Sequence, residues 1–243
     1  MASGPSPRVG VAIPAAGQGR RMGGRKKPFL TLAGEPLLVH ALRPFLALEQ
    51  VRHVVVAVSE EDLEEARGWV PALDSRVTVV AGGTTRSDSV ANAVQALPET
   101  VDLILVHDAA RPLVSMGTVE RCIEGASRGE GAVAGWPATD TLKEVDAQLR
   151  ILRTPDRSGI WHAQTPQAFP ATVLRRVLED PDLRARATDD ASLVEAAGIP
   201  VRMVHGEPDN LKVTRPEDLP VAEFLLARRR AGDEPARAAG EGG

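Results

Sequence analysis

Short apolar runs rich in β-branched residues, separated by segments of helical period, constrain this chain most. Val9-Gly-Val-Ala-Ile13, His53-Val-Val-Val-Ala-Val58, Arg76-Val-Thr-Val-Val80 and Leu103-Ile-Leu-Val106 have the length and composition of buried strands. Between the first two, Leu37, Leu38, Ala41, Leu42, Phe45 and Leu48 recur at helical spacing, with Pro44 expected to kink or end the helix. Ser59 before Glu60, Glu61 and Asp62 predicts a capped helix with an acidic first turn. Ser87 or Asp88 is the expected cap of a helix over 89–96, followed by a helix over 117–127 and a strand over 132–136. Strand and helix alternating at short spacing predict a doubly wound, mostly parallel α/β sheet of Rossmann-like form. Ligands in such sheets sit at the carboxyl ends of the strands.

The rhythm breaks at residue 137. Thr141, Leu142, Lys143, Glu144 and Val145 alternate, a polar turn lies near Asp146, and a second extended piece covers 149–152. Residues 138–159 therefore read as a β-arm with too little apolar surface to stand alone. Helices over 170–178 and 190–197, a strand over 201–204 and a helix over 216–229 are expected to close the fold. At 243 residues the chain suits one domain over 8–230, with 1–7 and 231–243 expected as disordered termini.

A net charge of −4 argues against a nucleic-acid binder. The single cysteine, Cys122, excludes an internal disulfide and any cysteine-only metal cluster. No run is apolar enough to span a membrane and no secretory signal is visible, so the cytosol is the expected compartment.

Against this acidic background one loop is basic. Pro14-Ala15-Ala16-Gly17-Gln18-Gly19-Arg20-Arg21-Met22 follows the first strand, and Lys26-Lys27-Pro28 comes soon after. Gly17 and Gly19 let backbone N–H groups approach a ligand closely, and a concave row of such groups binds phosphate. Arg20, Arg21 and Lys27 add positive charge beside it. The spacing is neither a dinucleotide fingerprint nor a P-loop. The loops after the third and fourth strands, Gly82-Gly83-Thr84-Thr85-Arg86-Ser87-Asp88-Ser89 and His107-Asp108-Ala109-Ala110-Arg111-Pro112, fall at the same edge. Asp108 beside a phosphate loop is a candidate Mg²⁺ ligand, since that hard ion takes carboxylate and phosphate oxygens. Asp209 is the candidate second ligand and Lys212 a second cation at the same centre. The 5 histidines lack metal-ligand spacing. His107 is expected to hydrogen-bond locally, and none is assigned a catalytic role.

The strand, the A-A-G-x-G-x-R-M loop and the K-P that follows resemble the signature loop of nucleotidyltransferases. The chain as a whole, from Val9 to about Leu226, resembles the 2-C-methyl-D-erythritol 4-phosphate cytidylyltransferase family of the non-mevalonate isoprenoid pathway. Besides the three loops, the matching segments are Asp140-Thr141-Leu-Lys143 and Asp156-Arg157-x-Gly159-x-Trp161-His-Ala-x-Thr165-Pro-Gln167. Thr188-Asp189-x-Ala191-Ser192 and Asp209-Asn-Leu-Lys-Val-Thr-Arg-Pro-Glu-Asp218 complete the set.

The resemblance implies CTP and a polyol phosphate as substrates, Mg²⁺ as cofactor, and attack of the polyol phosphate on the α-phosphorus with loss of pyrophosphate. Arg21 and Lys27 resemble the pair that stabilises charge on the reacting phosphates, with Lys26 a rival for the role of Lys27. Ala15, Ala16, Gly17, Gly19, Gly82, Arg86 and Ser89 resemble nucleotide contacts. Ala109, Arg111, Thr141, Thr165 and Thr188 resemble the polyol-phosphate side, where Arg157 and Lys212 would position the attacking phosphate. Because Arg157 lies at the return of the arm, a homodimer in which each arm completes the partner's site is expected. Two alternatives stand beside this reading: a ribitol 5-phosphate cytidylyltransferase, and a non-catalytic nucleotide-sensing module.

Overall fold

The computed structural model describes residues 6–17 and 29–238. The buried strand β1 (Val9–Pro14) comes first. A tight hairpin follows, β2 (Thr31–Leu32) and β3 (Glu35–Pro36), turned by Ala33 and Gly34 at φ 49° and 87°. Two central residues at positive φ match the twist of a two-residue hairpin, which Gly34 adopts freely. Helix α1 (Leu37–Leu46) runs through Pro44 rather than ending there. Pro44 lies in the last turn, so only one backbone bond is forgone.

Next come β4 (Val51–Val58), α2 (Leu63–Trp69), β5 (Val77–Ala81), α3 (Arg86–Ala96), β6 (Leu103–Val106), α4 (Met116–Ala126) and β7 (Gly131–Pro137). The arm carries β8 (Glu144–Val145) and β9 (Ile151–Arg153). The chain then returns through β10 (Trp161–Pro170), α5 (Ala171–Leu178), α6 (Pro181–Arg186), α7 (Asp190–Ala196), β11 (Val201–His205) and α8 (Asp218–Ala238).

The main sheet has the order β11-β7-β10-β6-β1-β4-β5. All its neighbours are parallel except β10, which runs antiparallel to both β6 and β7. Alternation along β1 divides the core. Val9, Val11 and Ile13 face Leu38, Leu42 and Phe45 of α1 and Val119, Cys122 and Ile123 of α4. On the other face Ala12, Ile104 and Val106 meet Val90 and Val94 of α3, Leu174 of α5 and Leu193 of α7. Each buried Val, Leu, Ile or Phe among them contributes ~1.5–3 kcal/mol. A smaller cluster of Leu30, Leu32, Leu37, Leu113, Val213 and Ala222 seats α8.

Several expectations change. β10, the longest strand of the sheet at 10 residues, replaces a stretch with no expected element. Its prolines and its buried Gln164, Thr165 and Gln167 hide the apolar signature of a strand. Ser59 does not cap a helix: a 3₁₀ turn, Glu60–Asp62, precedes α2, and Ser59 Oγ donates to Asp62 Oδ2 at 2.5 Å. The cap of α3 is Thr85, not Ser87 or Asp88. Its hydroxyl accepts the Asp88 N–H at 3.0 Å, and the Asp88 carboxylate accepts the Thr85 N–H at 3.2 Å. Helix α8 continues past residue 229 to Ala238, so residues 231–238 of the expected disordered tail are helical.

Residues 138–159 do form an antiparallel hairpin, separate from the main sheet and paired as Glu144 with Arg153 and Val145 with Ile151. Asp146 Oδ1 accepts the N–H groups of Gln148 and Arg150, each at 2.9 Å, and closes its turn. Val145, Leu149, Ile151 and Leu152 are exposed.

Candidate active site

At the carboxyl edge of the sheet two loops converge over the end of β4. The Ala15 N–H donates to Ala57 O at 2.7 Å and the Gly82 N–H to Val58 O at 2.6 Å. A Cβ on Gly82 would lie 2.6 Å from the Ala16 Cβ and 2.8 Å from Ser89 Oγ, so only glycine permits this approach. Ser89, buried at the start of α3, ties the loop: its hydroxyl donates to Thr85 O at 2.9 Å and accepts the Gly83 N–H at 3.1 Å. Ala15, Ala16, Gly82 and Ser89, expected at the nucleotide, are thus assembled, with Gly17 at the open end. Gln18, Gly19, Arg20, Arg21, Met22, Lys26, Lys27 and Pro28 lie outside the described residues.

Beside these loops stands a chain of opposite charges. Arg86, the first residue of α3, donates through Nε to Asp108 Oδ1 at 2.9 Å and through Nη2 to Asp190 Oδ2 at 2.8 Å. Lys212 Nζ reaches the other Asp108 oxygen at 2.6 Å. Burial alone would raise the Asp108 carboxyl; Arg86 and Lys212 outweigh it and hold the group far below the usual carboxylate range. For Arg86, burial alone would lower the guanidinium, and the Asp190 and Asp108 carboxylates together raise it. Asp190 behaves differently: its side chain is 1% exposed, and burial raises its carboxyl despite Arg86.

Arg111 completes the cluster. Its Nη1 donates to Asn210 O at 2.7 Å, while its buried Nε has no hydrogen-bond partner among the described residues. Burial lowers its guanidinium. Three cations, Arg86, Arg111 and Lys212, therefore gather around the Asp108 carboxylate, with Asp190 and then Asp189 behind Arg86.

β10 organises the remaining groups. Thr165 Oγ1 accepts the Asp108 N–H at 3.1 Å and lies 3.0 Å from His107 Nδ1; His107 Nε2 lies 3.1 Å from the Arg111 carbonyl. His107 thus bonds locally, as expected, and burial pushes it down to about 4. Asn210 Nδ2 donates to the Thr165 carbonyl at 2.9 Å, which anchors the segment carrying Lys212. Gln167 Nε2 donates to Asp189 Oδ2 at 2.8 Å, and its Oε1 accepts the Ala191 N–H at 2.9 Å, which anchors the segment carrying Thr188. Ala109 is buried beside Asp108.

Other expected residues lie apart. The Asp209 carboxylate pairs with Arg228 of α8 at 2.8 Å and makes no described bond to the Asp108 cluster. Among the described residues no group of three or more His, Cys, Asp or Glu is placed to hold a metal. Thr141 and Arg157 are exposed on the arm, where Arg157 Nη1 donates to the Thr139 carbonyl. Sequence reasoning passed over Asp190. Its signal was the Asp189-Asp190 pair, of which Asp189 caps α7 and Asp190 shares the buried face of Leu193 and Val194. Among the described residues no helix is long and apolar enough to cross a membrane.

Residues 9–228 match the family model described as IspD: 2-C-methyl-D-erythritol 4-phosphate cytidylyltransferase. A protein of that name from Microcystis aeruginosa is 42% identical over 223 residues, 90% of this chain and 99% of that protein. One from Haemophilus influenzae is 43% identical over 222 residues, 90% of this chain and 97% of that protein. The crystal structure of 2-C-methyl-D-erythritol 4-phosphate cytidylyltransferase from Thermus thermophilus superposes with a TM-score of 0.73 at 36% identity, covering 90% of this chain and 98% of that one. With the match spanning both loops, the charged cluster and β10, the chain belongs to the 2-C-methyl-D-erythritol 4-phosphate cytidylyltransferase family.

Proposed function

We infer that this protein transfers the cytidylyl group of CTP to 2-C-methyl-D-erythritol 4-phosphate, releasing pyrophosphate, in isoprenoid precursor synthesis. A phosphate oxygen of the polyol attacks the α-phosphorus of CTP, and the bond from that phosphorus to the bridging oxygen of the departing pyrophosphate breaks. The nucleophile is already an anion, so no strong base is required. The protein's task is to align two repelling anions and neutralise charge as it builds.

The observation that carries this reading is the gathering of three cations, Arg86, Arg111 and Lys212, around the Asp108 carboxylate at the carboxyl edge. The packed glycine loop beside it suits the nucleotide, with Ala15, Ala16, Gly17, Gly82 and Ser89 in contact. Lys212, joined to Asp108 and 41% exposed, is free to turn to an arriving phosphate. Arg21 and Lys27 would meet the α-phosphate and departing pyrophosphate, and Ala109, Thr165 and Thr188 would border the polyol.

Mg²⁺ fits this donor set through one residue. Asp108 is a single carboxylate held ionised, and each of its oxygens keeps a lone pair beyond its ion pair. Asp108 would hold the ion together with triphosphate oxygens, the usual arrangement for Mg²⁺. When bound, the ion supplies charge neutralisation on the triphosphate. Asp209, engaged by Arg228, would have to release that partner to join it.

A homodimer is the arrangement we propose for the arm. The exposed Val145, Leu149, Ile151 and Leu152 favour a covered face, and Thr141 and Arg157 lie on the same arm. The test is a panel of the four nucleoside triphosphates against the erythritol and ribitol phosphates, with pyrophosphate release and product mass measured. Turnover with CTP and the erythritol substrate is expected. Preference for ribitol 5-phosphate, or nucleotide binding without pyrophosphate release, overturns the assignment.

A further inference from the structure

His107 is a wholly buried imidazole that the reading above gives no role. It follows β6 directly. Its backbone N–H donates to the Ala12 carbonyl of β1 at 3.0 Å, and its ring packs on Phe45 with 5.1 Å between centroids. Both ring nitrogens lie against oxygen atoms: Nε2 is 3.1 Å from the Arg111 carbonyl and Nδ1 is 3.0 Å from Thr165 Oγ1. A carbonyl oxygen only accepts, so the ring proton sits on Nε2. Enclosed, with a carbonyl and a hydroxyl as its described ring partners, the imidazole stays neutral and Nδ1 is bare. The Thr165 hydroxyl must then donate to Nδ1.

That direction decides what Thr165 can offer. A hydroxyl has one proton and two lone pairs. Here the proton goes to His107, and one lone pair accepts the Asp108 N–H at 3.1 Å. No proton is left for a phosphate oxygen. The same bonds close a ring around the turn over 108–111. Inside the turn, the Arg111 N–H donates to the Asp108 carbonyl at 2.9 Å. Outside it, Thr165 holds the Asp108 end and His107 holds the Arg111 end. Asp108, Ala109 and Arg111, all expected at the site, ride on that turn.

We propose that His107 is a positioning residue: as the neutral Nε2–H tautomer it takes the hydrogen bond of the Thr165 hydroxyl and locks the turn that carries Asp108 and Arg111, so that Thr165 is a strut and donates nothing to a substrate phosphate. The kinetic part of the proposal rests on the cytidylyl-transfer reading, and the tautomer does not. In protein labelled with ¹⁵N in histidine, the ring signals absent from His107→Phe identify His107. Their two-bond proton–nitrogen correlations should show a protonated Nε2 and a bare Nδ1. An Nδ1–H tautomer or a doubly protonated ring overturns the proposal.

His107→Phe keeps a ring against Phe45 and removes both side-chain bonds. In the folded variant kcat should fall about a hundredfold, the cost of displacing aligned groups by ~1 Å. KM for CTP should change little, because Ala15, Gly82 and Ser89 lie off the turn. A merely structural His107 would lower the thermal midpoint and leave kcat of the folded protein alone; a wild-type kcat therefore overturns the proposal. The double variant His107→Phe/Thr165→Val should lose far less than the product of the two single losses, since both residues act through one turn. Losses that multiply in full would show Thr165 meeting the substrate on its own account, and overturn it. If His107→Phe does not fold, His107→Leu, which also removes both bonds, takes its place; failure of both to fold makes His107 structural and overturns the proposal. A wild-type protein that transfers no nucleotide removes the functional reading, and the tautomer alone then decides the proposal.

Discussion

The two lysines at 26 and 27 differ by one position in the chain and by everything in expected effect. An anionic transition state needs a fixed cation, and removing one preorganised electrostatic contact in comparable sites costs about a hundred- to thousand-fold in kcat. Lys27→Ala should fall by that order with the protein still folded, and Lys26→Ala should stay near wild type. Steady-state kinetics on both variants decides, and the reverse pattern moves the role to Lys26. Asp108 makes a second test. Because Arg86 and Lys212 keep it ionised, Asp108→Asn removes the carboxylate that Lys212 faces and one of the two that Arg86 faces. Turnover should drop and recover in part at high Mg²⁺ if the chief loss is cation binding. Normal turnover with an unchanged Mg²⁺ response would exclude the ligand role.

At the scale of elements, β10 joins the parts of the site. Gln167 is 2% exposed and holds the Ala191 N–H and the Asp189 carboxylate at once. Gln167→Ala strands those groups, and an unsatisfied buried donor costs ~1–3 kcal/mol. Denaturant unfolding should report a loss of that size together with lower activity; unchanged stability would show that the loop finds other partners. The parallel strands were legible because β-branched apolar runs have no other stable home. The loops between them were legible because small residues crowd where backbone must approach backbone, as at Gly82. β10 was not, because its inner face is built from glutamine and threonine that bond to distant loops, a pattern with no local period. The Asp190–Arg86 bond joins positions 104 apart in the chain, so its geometry required the fold.

For the whole molecule the arm sets the question of assembly. It carries Thr141 and Arg157 on a hairpin that leaves Leu149 79% exposed. If it crosses to a second subunit, mixing Lys27→Ala with Arg157→Ala should regenerate activity. In a mixed dimer one site lacks both residues and the other keeps both. Random pairing makes half the dimers mixed, so about one quarter of wild-type activity should return in an isologous dimer. Folded, exchanging variants that stay as inactive as when separate would assign Arg157 to its own subunit.

The strand order also sets a timetable for synthesis. β5, β4, β1 and β6 occupy one side of the sheet and lie within the first 106 residues, whereas the far side depends on β10 and β11. The antiparallel neighbour of β6 is completed only at Pro170. Until then a growing chain on the ribosome holds a wholly buried-type strand, Leu103–Val106, with one edge unpaired. Nascent chains arrested before β10 emerges should therefore cross-link to a holdase through this region. Chains arrested after residue 170 has cleared the exit tunnel should not, and equal cross-linking at both lengths would show that β6 is shielded by other means.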